Sequence, residues 1–412
     1  MANSLWVDRK STVHGAGLHA LIIGVSDYQF LPAPGQFPDP KHVTLGLTKV
    51  RIPSTGAFRV ARWIRDAYWH PTTEIKTIRM LLSPSASEIT PTVTPSESED
   101  DLMRAALAET IPTVPRADTA NVEQALLDWQ ADCKGHPDDI AVLYVSGHGI
   151  QWGSKDDAIV LLEDFAKTQL FLNQAIDVGR TMKGMSGDDM PQVQLYFVDA
   201  CQIQPDEHAK FEDAGSPLRL RSEFGGADLR SAPIYFGACP QTAAKGRSGQ
   251  GTYFAQGLVT CLGANALQGP DSHSTLPVAT THWHATVSRL LEALQDSVTA
   301  IAAIDKEKQE VVLGGRTRPA VFCASQTPPQ VTVVLDVAPD EAAKASFAEV
   351  WDWSGATQLT PRTPCWKRPT TVAKLAAGIY QLKVSASAPY KPESPIRVEA
   401  RPPTWTQKIT VP

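Results

Sequence analysis

The run Ile140-Ala141-Val142-Leu143-Tyr144-Val145-Ser146-Gly147-His148-Gly149 decides how this chain reads. Six apolar residues in a row, without alternation, predict a strand buried on both faces, the pattern of a parallel sheet. The strand stops at Ser146-Gly147, and a histidine between two glycines follows directly. Val193-Gln194-Leu195-Tyr196-Phe197-Val198 repeats the arrangement and runs into Asp199-Ala200-Cys201. In an open parallel sheet, ligands gather at the carboxyl ends of the strands. Two candidate strands ending in His148 and Cys201, 53 positions apart, place an imidazole and a thiol there. A Cys–His pair is the minimum for thiolate attack: the imidazole takes the thiol proton and later protonates the leaving group. The amides of Gly149 and Cys201 are the candidate oxyanion donors, with Gly147 and Gly149 giving room for a substrate backbone.

Outward from this pair, strand and helix patterns alternate. His19 to Val25 reads as a buried strand, followed by a loop with Pro32, Pro34, Pro38 and Pro40. Ala57, Val60, Ala61, Ile64 and Tyr68 share one helical face, with Ser54 and Thr55 as candidate N-caps. Ile75 to Leu82 predicts a strand, and Pro84 to Pro95 a loop. Helices are expected over Glu99 to Thr110 and around Val122, Ala125, Leu126 and Trp129, the latter capped by Asp118 or Thr119. A short strand is expected at Ala158 to Leu162 and a helix at Phe171 to Lys183. Residues 202–231 are polar and loop-like, long for a connection inside a compact domain. A strand at Pro233 to Ala238 and helices at Thr252 to Leu262 and Val287 to Val298 complete the pattern. The expected fold is α/β, with a mostly parallel sheet of roughly six strands. After Thr327-Pro328-Pro329 only short β-type runs remain, so residues 327–412 are expected to form a small all-β sandwich, against an α/β domain over 1–326.

Composition narrows the function. Of 412 residues, 42% are apolar and 20% charged, a globular mix. Net charge is −6, from 38 basic and 44 acidic residues without a basic run, which argues against nucleic acid or anionic membrane as a partner. Met1 to Lys10 has no apolar core and no stretch reaches the roughly 18 residues of a membrane span, so a cytoplasmic protein is expected. Six scattered cysteines without a C-x-x-C pair read as free thiols in a reducing compartment. Prolines number 32, about 8% against roughly 5% on average.

At this point a family resemblance enters. Val145-Ser146-Gly147-His148-Gly149 followed by Asp199-Ala200-Cys201-Gln202 resembles the caspase and metacaspase peptidases, including the spacing of histidine and cysteine. Ala20-Leu21-Ile22-Ile23-Gly24-Val25-Ser26-Asp27-Tyr28 and Gly251-Thr252-Tyr253-Phe254-Ala255-Gln256-Gly257-Leu258 are similar to other parts of that family. The resemblance covers about 18–326 and implies a three-layer caspase-like fold, with a large portion to about 201, a linker over 202–231 and a small portion over 232–326. It implies a cysteine endopeptidase acting on protein substrates, with catalytic His148 and Cys201, supported by no more than a backbone carbonyl. Caspases proper carry Gln where this chain has Asp199 and Gly where it has Ile203. Asp199 is instead similar to the branch that cuts after Arg or Lys, and a carboxylate in a partly dry pocket selects a cationic side chain. The competing reading of Asp199 is a turn cap or an orienter of amides. Arg51, ahead of the first helix, is the competing pocket residue and favours an acidic substrate. Ser26, Asp27 and Tyr28 end the first strand and are expected to line the cleft, with a turn role equally open.

The linker carries Lys210, Arg219, Arg221 and Arg230, the residue types an Asp199 pocket accepts, so self-cleavage is expected there. Arg219 and Arg221 lead, Arg230 follows, and an ordinary surface loop is the alternative. No cofactor is expected. His273, His282 and His284 lack a carboxylate or thiol to complete a metal set. Asp156-Asp157 and Asp188-Asp189 are the calcium candidates that some metacaspases suggest, though such acid pairs are usually just solvated. Trp63, Trp129 and Trp152 read as core or strand-end residues. The rival function is a non-catalytic adaptor on the same fold, binding a regulatory protein through the β domain; the retained Cys201 and His148 speak against it.

Overall fold

A computed structural model describes residues 3–90, 98–151, 158–201, 214–221, 228, 230–239, 244–392 and 395–411. The chain divides into two compact units, one of Met1–Cys261 with Thr286–Cys323 and one of Leu262–Ala285 with Ala324–Pro412. Residues 262–285, read as part of the α/β domain, group instead with the β unit, where Trp283 packs on its core.

The α/β unit opens with β1 (Leu5–Asp8), β2 (Ala16–Val25), α1 (Pro53–Ala67) and β3 (Thr73–Ser83). Helices α2 (Ala86–Ile89), α3 (Glu99–Thr110) and α4 (Thr119–Asp132) lead to β4 (Ile140–Gly147). A small sheet of β5 (Gly149–Gln151), β6 (Ala158–Leu161) and β7 (Ala175–Asp177) follows, then α5 (Val178–Gly184), β8 (Val193–Ala200) and β9 (Ala232–Phe236). Next come the ribbon β10 (Gly246–Arg247) and β11 (Gly251–Thr252), α6 (Tyr253–Thr260), α7 (Pro277–Thr281), β12 (Trp283–Thr286), α8 (Val287–Ile304), β13 (Val312–Arg316) and β14 (Val321–Ser325).

Among the described residues the main sheet has seven strands in the order β1-β3-β2-β4-β8-β9-β13. The inner five run parallel, and β1 and β13 close the two edges antiparallel. The expected α/β/α architecture is thus present, with the two short edge strands carrying the count past six. Leu21, Ile23 and Val25 of β2 share a core with Val122, Ala125, Leu126 and Trp129 of α4. The alternate side of β2 meets α1: a Cβ on Gly24 would stand 2.7 Å from the Ala57 methyl and 2.9 Å from Ser54 Cα.

Three local readings change. Helix α1 begins at Pro53, with Ile52 rather than Ser54 or Thr55 at its N-cap, because proline suits the first helical turn. Buried Glu88 then accepts from the Thr55 N–H at 2.9 Å, doing from α2 what a cap would do locally. The expected loop at 84–95 includes α2, closed by a Ser85/Glu88 capping box. The helix expected over Phe171 to Lys183 is a 3₁₀ turn at Phe171–Gln174, then β7, then α5. Asp177 breaks the helix there by accepting from Arg180 N–H as N-cap.

Of the connection 202–231, residues 214–221 are not a free loop. Leu218 bridges to Ile176, and Ala214 and Leu220 are buried. Arg230 is 3% exposed, its guanidinium bound to Asp228, to the Met182 and Met185 carbonyls and to Gln194. That burial corrects the reading of Arg230 as a cleavage point. Most of the remaining connection, including Lys210, lies outside the described residues.

In the β unit, β15 (Gln330–Ala338), α9 (Asp340–Lys344), β16 (Ser346–Asp352), β17 (Thr363–Pro364), β18 (Thr370–Ala376), β19 (Gly378–Ala386), β20 (Ile396–Ala400) and β21 (Thr404–Thr410) form two sheets. Their orders are β18-β15-β21 and β17-β16-β19-β20. Alternating Val331, Val333, Leu335 and Val337 share one core with Val350, Leu382 and Val398, which is the expected sandwich. Among the described residues no helix is long and apolar enough to cross a membrane.

The amino end of β4 is pinned by a buried cluster. Asp139 accepts from Gly17 N–H at 2.6 Å and pairs with buried His19 at 3.3 Å and with Lys76 at 3.2 Å. Burial pushes the Asp139 carboxyl up, but His19, the Gly17 amide and Lys76 outweigh it and hold the pKa below the ordinary value. A depressed carboxylate pKa contributes stability above the unfolded value that is lost as pH falls through the folded one. Asp139→Ala should cost about 3–5 kcal/mol in urea unfolding, because it strands a buried ring and an amide. The variant should also lose part of the acid-side decline in stability; a midpoint unchanged from wild type would remove the cluster from this role.

Candidate active site

Pairing between β4 and β8 ends at Gly147↔Ala200, so His148 and Cys201 are the next residues on adjacent parallel strands. Two glycines make the corner possible. A Cβ on Gly149 would stand 2.3 Å from the Cys201 carbonyl oxygen, and one on Gly147 would stand 2.7 Å from Tyr28 Oη. A side chain at Gly149 would have to move the backbone at Cys201, and one at Gly147 would have to displace the Tyr28 hydroxyl.

Tyr28, wholly buried, wedges its hydroxyl into the start of the β5–β6 ladder. His148 N–H donates to Tyr28 Oη at 2.7 Å, Tyr28 O–H donates to the Leu161 carbonyl at 3.4 Å, and Leu161 N–H donates to the His148 carbonyl at 2.9 Å. His148 therefore sits at a hydrogen-bonding position opposite Leu161. Antiparallel alternation then makes Gly149↔Val160 a non-hydrogen-bonded pair, turning the Gly149 N–H away from β6. That amide is the expected oxyanion donor.

The imidazole is fixed from its far side. Nε2 lies 2.6 Å from the Thr48 carbonyl oxygen, which only accepts, so Nε2 carries the hydrogen and Nδ1 keeps the lone pair a base needs. Burial lowers the His148 pKa and the Thr48 carbonyl partly offsets it. Burial raises the Cys201 thiol, helped by the Asp199 charge and opposed by the Ala244 and Cys201 amides. A raised thiol and a lowered imidazole favour the neutral pair at rest.

Asp199 is 1% exposed and lies inside the sheet. Its Oδ2 accepts from Tyr144 O–H at 2.5 Å and from Thr252 O–H, while Thr252 also caps α6 by accepting from Ala255 N–H. Oδ1 makes no such bond, and Ser146 is the cross-strand neighbour of this residue. Burial raises the Asp199 pKa to about 6 against the pull of Thr252, Tyr144 and Ser146. Gly237 leaves the room beside Oδ1: a Cβ there would stand 3.2 Å away.

Ser26 and Asp27 serve the scaffold in place of the expected cleft wall. Ser26 is fully buried and accepts from Ser54 N–H at 3.0 Å, at the start of α1. Asp27 pairs with Lys49 at 2.7 Å and Arg116 at 3.1 Å, and Arg116 reaches buried Glu163. Because Lys49 follows Thr48, Asp27 tethers the loop that holds the imidazole. Arg51 is exposed ahead of α1, and no described carboxylate pairs with it. Asp188 and Asp189 are exposed, Asp189 lying 4.0 Å from Lys134; Asp156, Asp157 and Trp152 lie outside the described residues. Among the described residues no group of three or more His, Cys, Asp or Glu is arranged to hold a metal ion. Thr48, Tyr144 and Thr252 were not singled out as site residues from sequence, and Tyr28, expected with Ser26 and Asp27 to line the cleft, is wholly buried. Of the first three, only Thr252, a threonine opening a helix after glycine, carried a local signal.

Comparison with known proteins adds the family. The caspase domain model of peptidase family C14 matches residues 18–328. Among solved structures, caspase-1 from Spodoptera frugiperda is similar at 12% identity and a TM-score of 0.42, over 79% of this chain and 99% of that one. No curated protein matches. With the domain model spanning most of the chain and both His148 and Cys201, this chain belongs to the caspase family.

Proposed function

We propose that this chain is a cysteine endopeptidase in which Cys201 attacks the scissile carbonyl and His148 is general base and then general acid. The reading rests above all on one observation. The Thr48 carbonyl holds His148 in the tautomer that leaves Nδ1 basic, one step beyond the register pair beside Cys201. Attack forms the S–C bond as the thiol proton passes to Nδ1, and the oxyanion faces the Gly149 and Cys201 amides. Collapse expels the amine with that proton, and water then hydrolyses the thioester by the same base. This chemistry needs no cofactor.

The proposed preference is for Arg or Lys before the scissile bond. The support is Asp199 Oδ1, a buried acceptor that Tyr144 and Thr252 leave open. A guanidinium or ammonium arriving there gives the carboxylate the charge that burial denies it. Self-processing in the 202–231 connection belongs to the same proposal, with Arg219 and Arg221 as the remaining exposed candidates. Cutting there requires Leu220 to leave its buried seat first.

Cys201→Ala should fold and retain less than about 1% of peptide cleavage. A thiol probe should label wild type at Cys201 and label poorly after His148→Ala; equal labelling would favour the adaptor reading. For Arg-containing peptides kcat/KM should fall as pH drops below about 6, because a cation binds the ionised Asp199 carboxylate. Asp199→Asn should lose both that limb and the basic preference, and an unchanged profile would place the pocket elsewhere. Tyr28→Phe should lower kcat roughly ten- to a hundredfold with KM little changed, since the His148 amide loses its anchor while the pocket is untouched. An equal rise in KM would show Tyr28 acting on substrate binding.

A further inference from the structure

The segment leading toward β9 carries a feature that peptide cleavage does not use. A cleft of about 570 Å³ opens between α5 and residues 219–221, and its described lining is Arg180, Lys183, Arg219, Leu220 and Arg221. Four cations around one cleft repel each other, and they gather here in a chain of net charge −6. Only Arg180 has a described carboxylate partner, Asp177 at 3.3 Å; among the described residues Lys183, Arg219 and Arg221 form no ion pair.

The backbone holds this arrangement deliberately close. A Cβ on Gly184 would stand 2.3 Å from the Leu220 Cβ and 2.7 Å from its carbonyl, so the segment rests directly on the end of α5. Leu218 N–H donates to the Ala175 carbonyl at 2.7 Å, and the Leu218 carbonyl accepts from Asp177 N–H at 2.9 Å. With Leu220 buried, its neighbours Arg219 and Arg221 are both left exposed. Arg180 and Lys183, three positions apart on α5, share a helix face toward them.

We infer that this cleft binds a multivalent phosphate-bearing anion, which clamps residues 218–221 onto α5. Guanidinium forks meet phosphate oxygens two at a time, and three of them with a lysine suit at least two phosphate groups. The volume is that of a small-molecule site. No aromatic side chain lines it among the described residues, so it reads phosphates and leaves a nucleobase without a stacking surface.

Calorimetric titration of the full chain with tripolyphosphate near physiological ionic strength tests the site. Saturable one-to-one binding that weakens with added salt is expected, with a rise in melting temperature. ATP without magnesium should bind within about threefold of tripolyphosphate. Trypsin cleavage after Arg219 and Arg221 should slow when the anion is bound. Joint replacement Arg219→Ala and Arg221→Ala, both at exposed positions, should weaken binding about thirtyfold or more. Far-ultraviolet circular dichroism of that variant should match wild type. Absence of saturable binding, binding that survives the joint replacement together with Lys183→Ala, or unchanged trypsin rates would overturn the site. A much tighter ATP would overturn the phosphate-only recognition.

Discussion

The pairing of β4 with β8, ending at Gly147↔Ala200, is the constraint on which the site depends. Side chains alternate along a strand, so a slip of one residue would send His148 and Cys201 to opposite faces of the sheet. The register is held at both ends. At the amino end, Asp139 ties the β2 amide of Gly17 to the residue before β4. At the carboxyl end, Gly149 lies against the Cys201 carbonyl so closely that any larger residue would part the strands. Between these anchors, Ile140 to Val145 are fully or almost fully buried, and apolar burial resists any alternative pairing.

Dryness then sets the electrical character of the site. One cause, loss of water, raises the Cys201 thiol, lowers the His148 imidazole and raises the Asp199 carboxyl. Each group is biased toward its neutral form before a peptide arrives. The hydrogen bonds around them are directional, and each leaves one function open: Nδ1 on the ring, Oδ1 on the carboxyl, N–H on Gly149. Tyr144 and Thr252 occupy only one oxygen of Asp199. The remaining oxygen is the one the proposed preference for a basic side chain relies on.

What the sequence made legible follows from what each element needs. The inner strands were visible because a strand buried on both faces must be continuously apolar, as Leu21 to Ile23 and Ile140 to Val145 are. His148 and Cys201 stood out because polar residues at the ends of such strands have no packing reason to be there. Thr48 was invisible because it contributes a carbonyl, which every residue has. Tyr28 could be placed near the cleft by its position after the first strand, but not its hydroxyl, which acts on a backbone 120 positions away. Arg230 looked exposed because arginine usually is, yet carbonyls of Met182 and Met185 and the carboxylate of Asp228 satisfy it inside the fold. The helix expected at 171–183 failed because pairing of Ala175–Asp177 with β6 overrides local propensity.

Residues 262–285 give the chain an order of assembly that its linear layout conceals. The β unit takes Trp283 onto its core, although about 40 residues of the α/β unit, α8 among them, separate it from the main β segment. A ribosome therefore releases part of the β unit before the other unit is complete, and that part waits for β15 to β21 to be made. Nor are the last residues a cassette that recombination can exchange at one crossover.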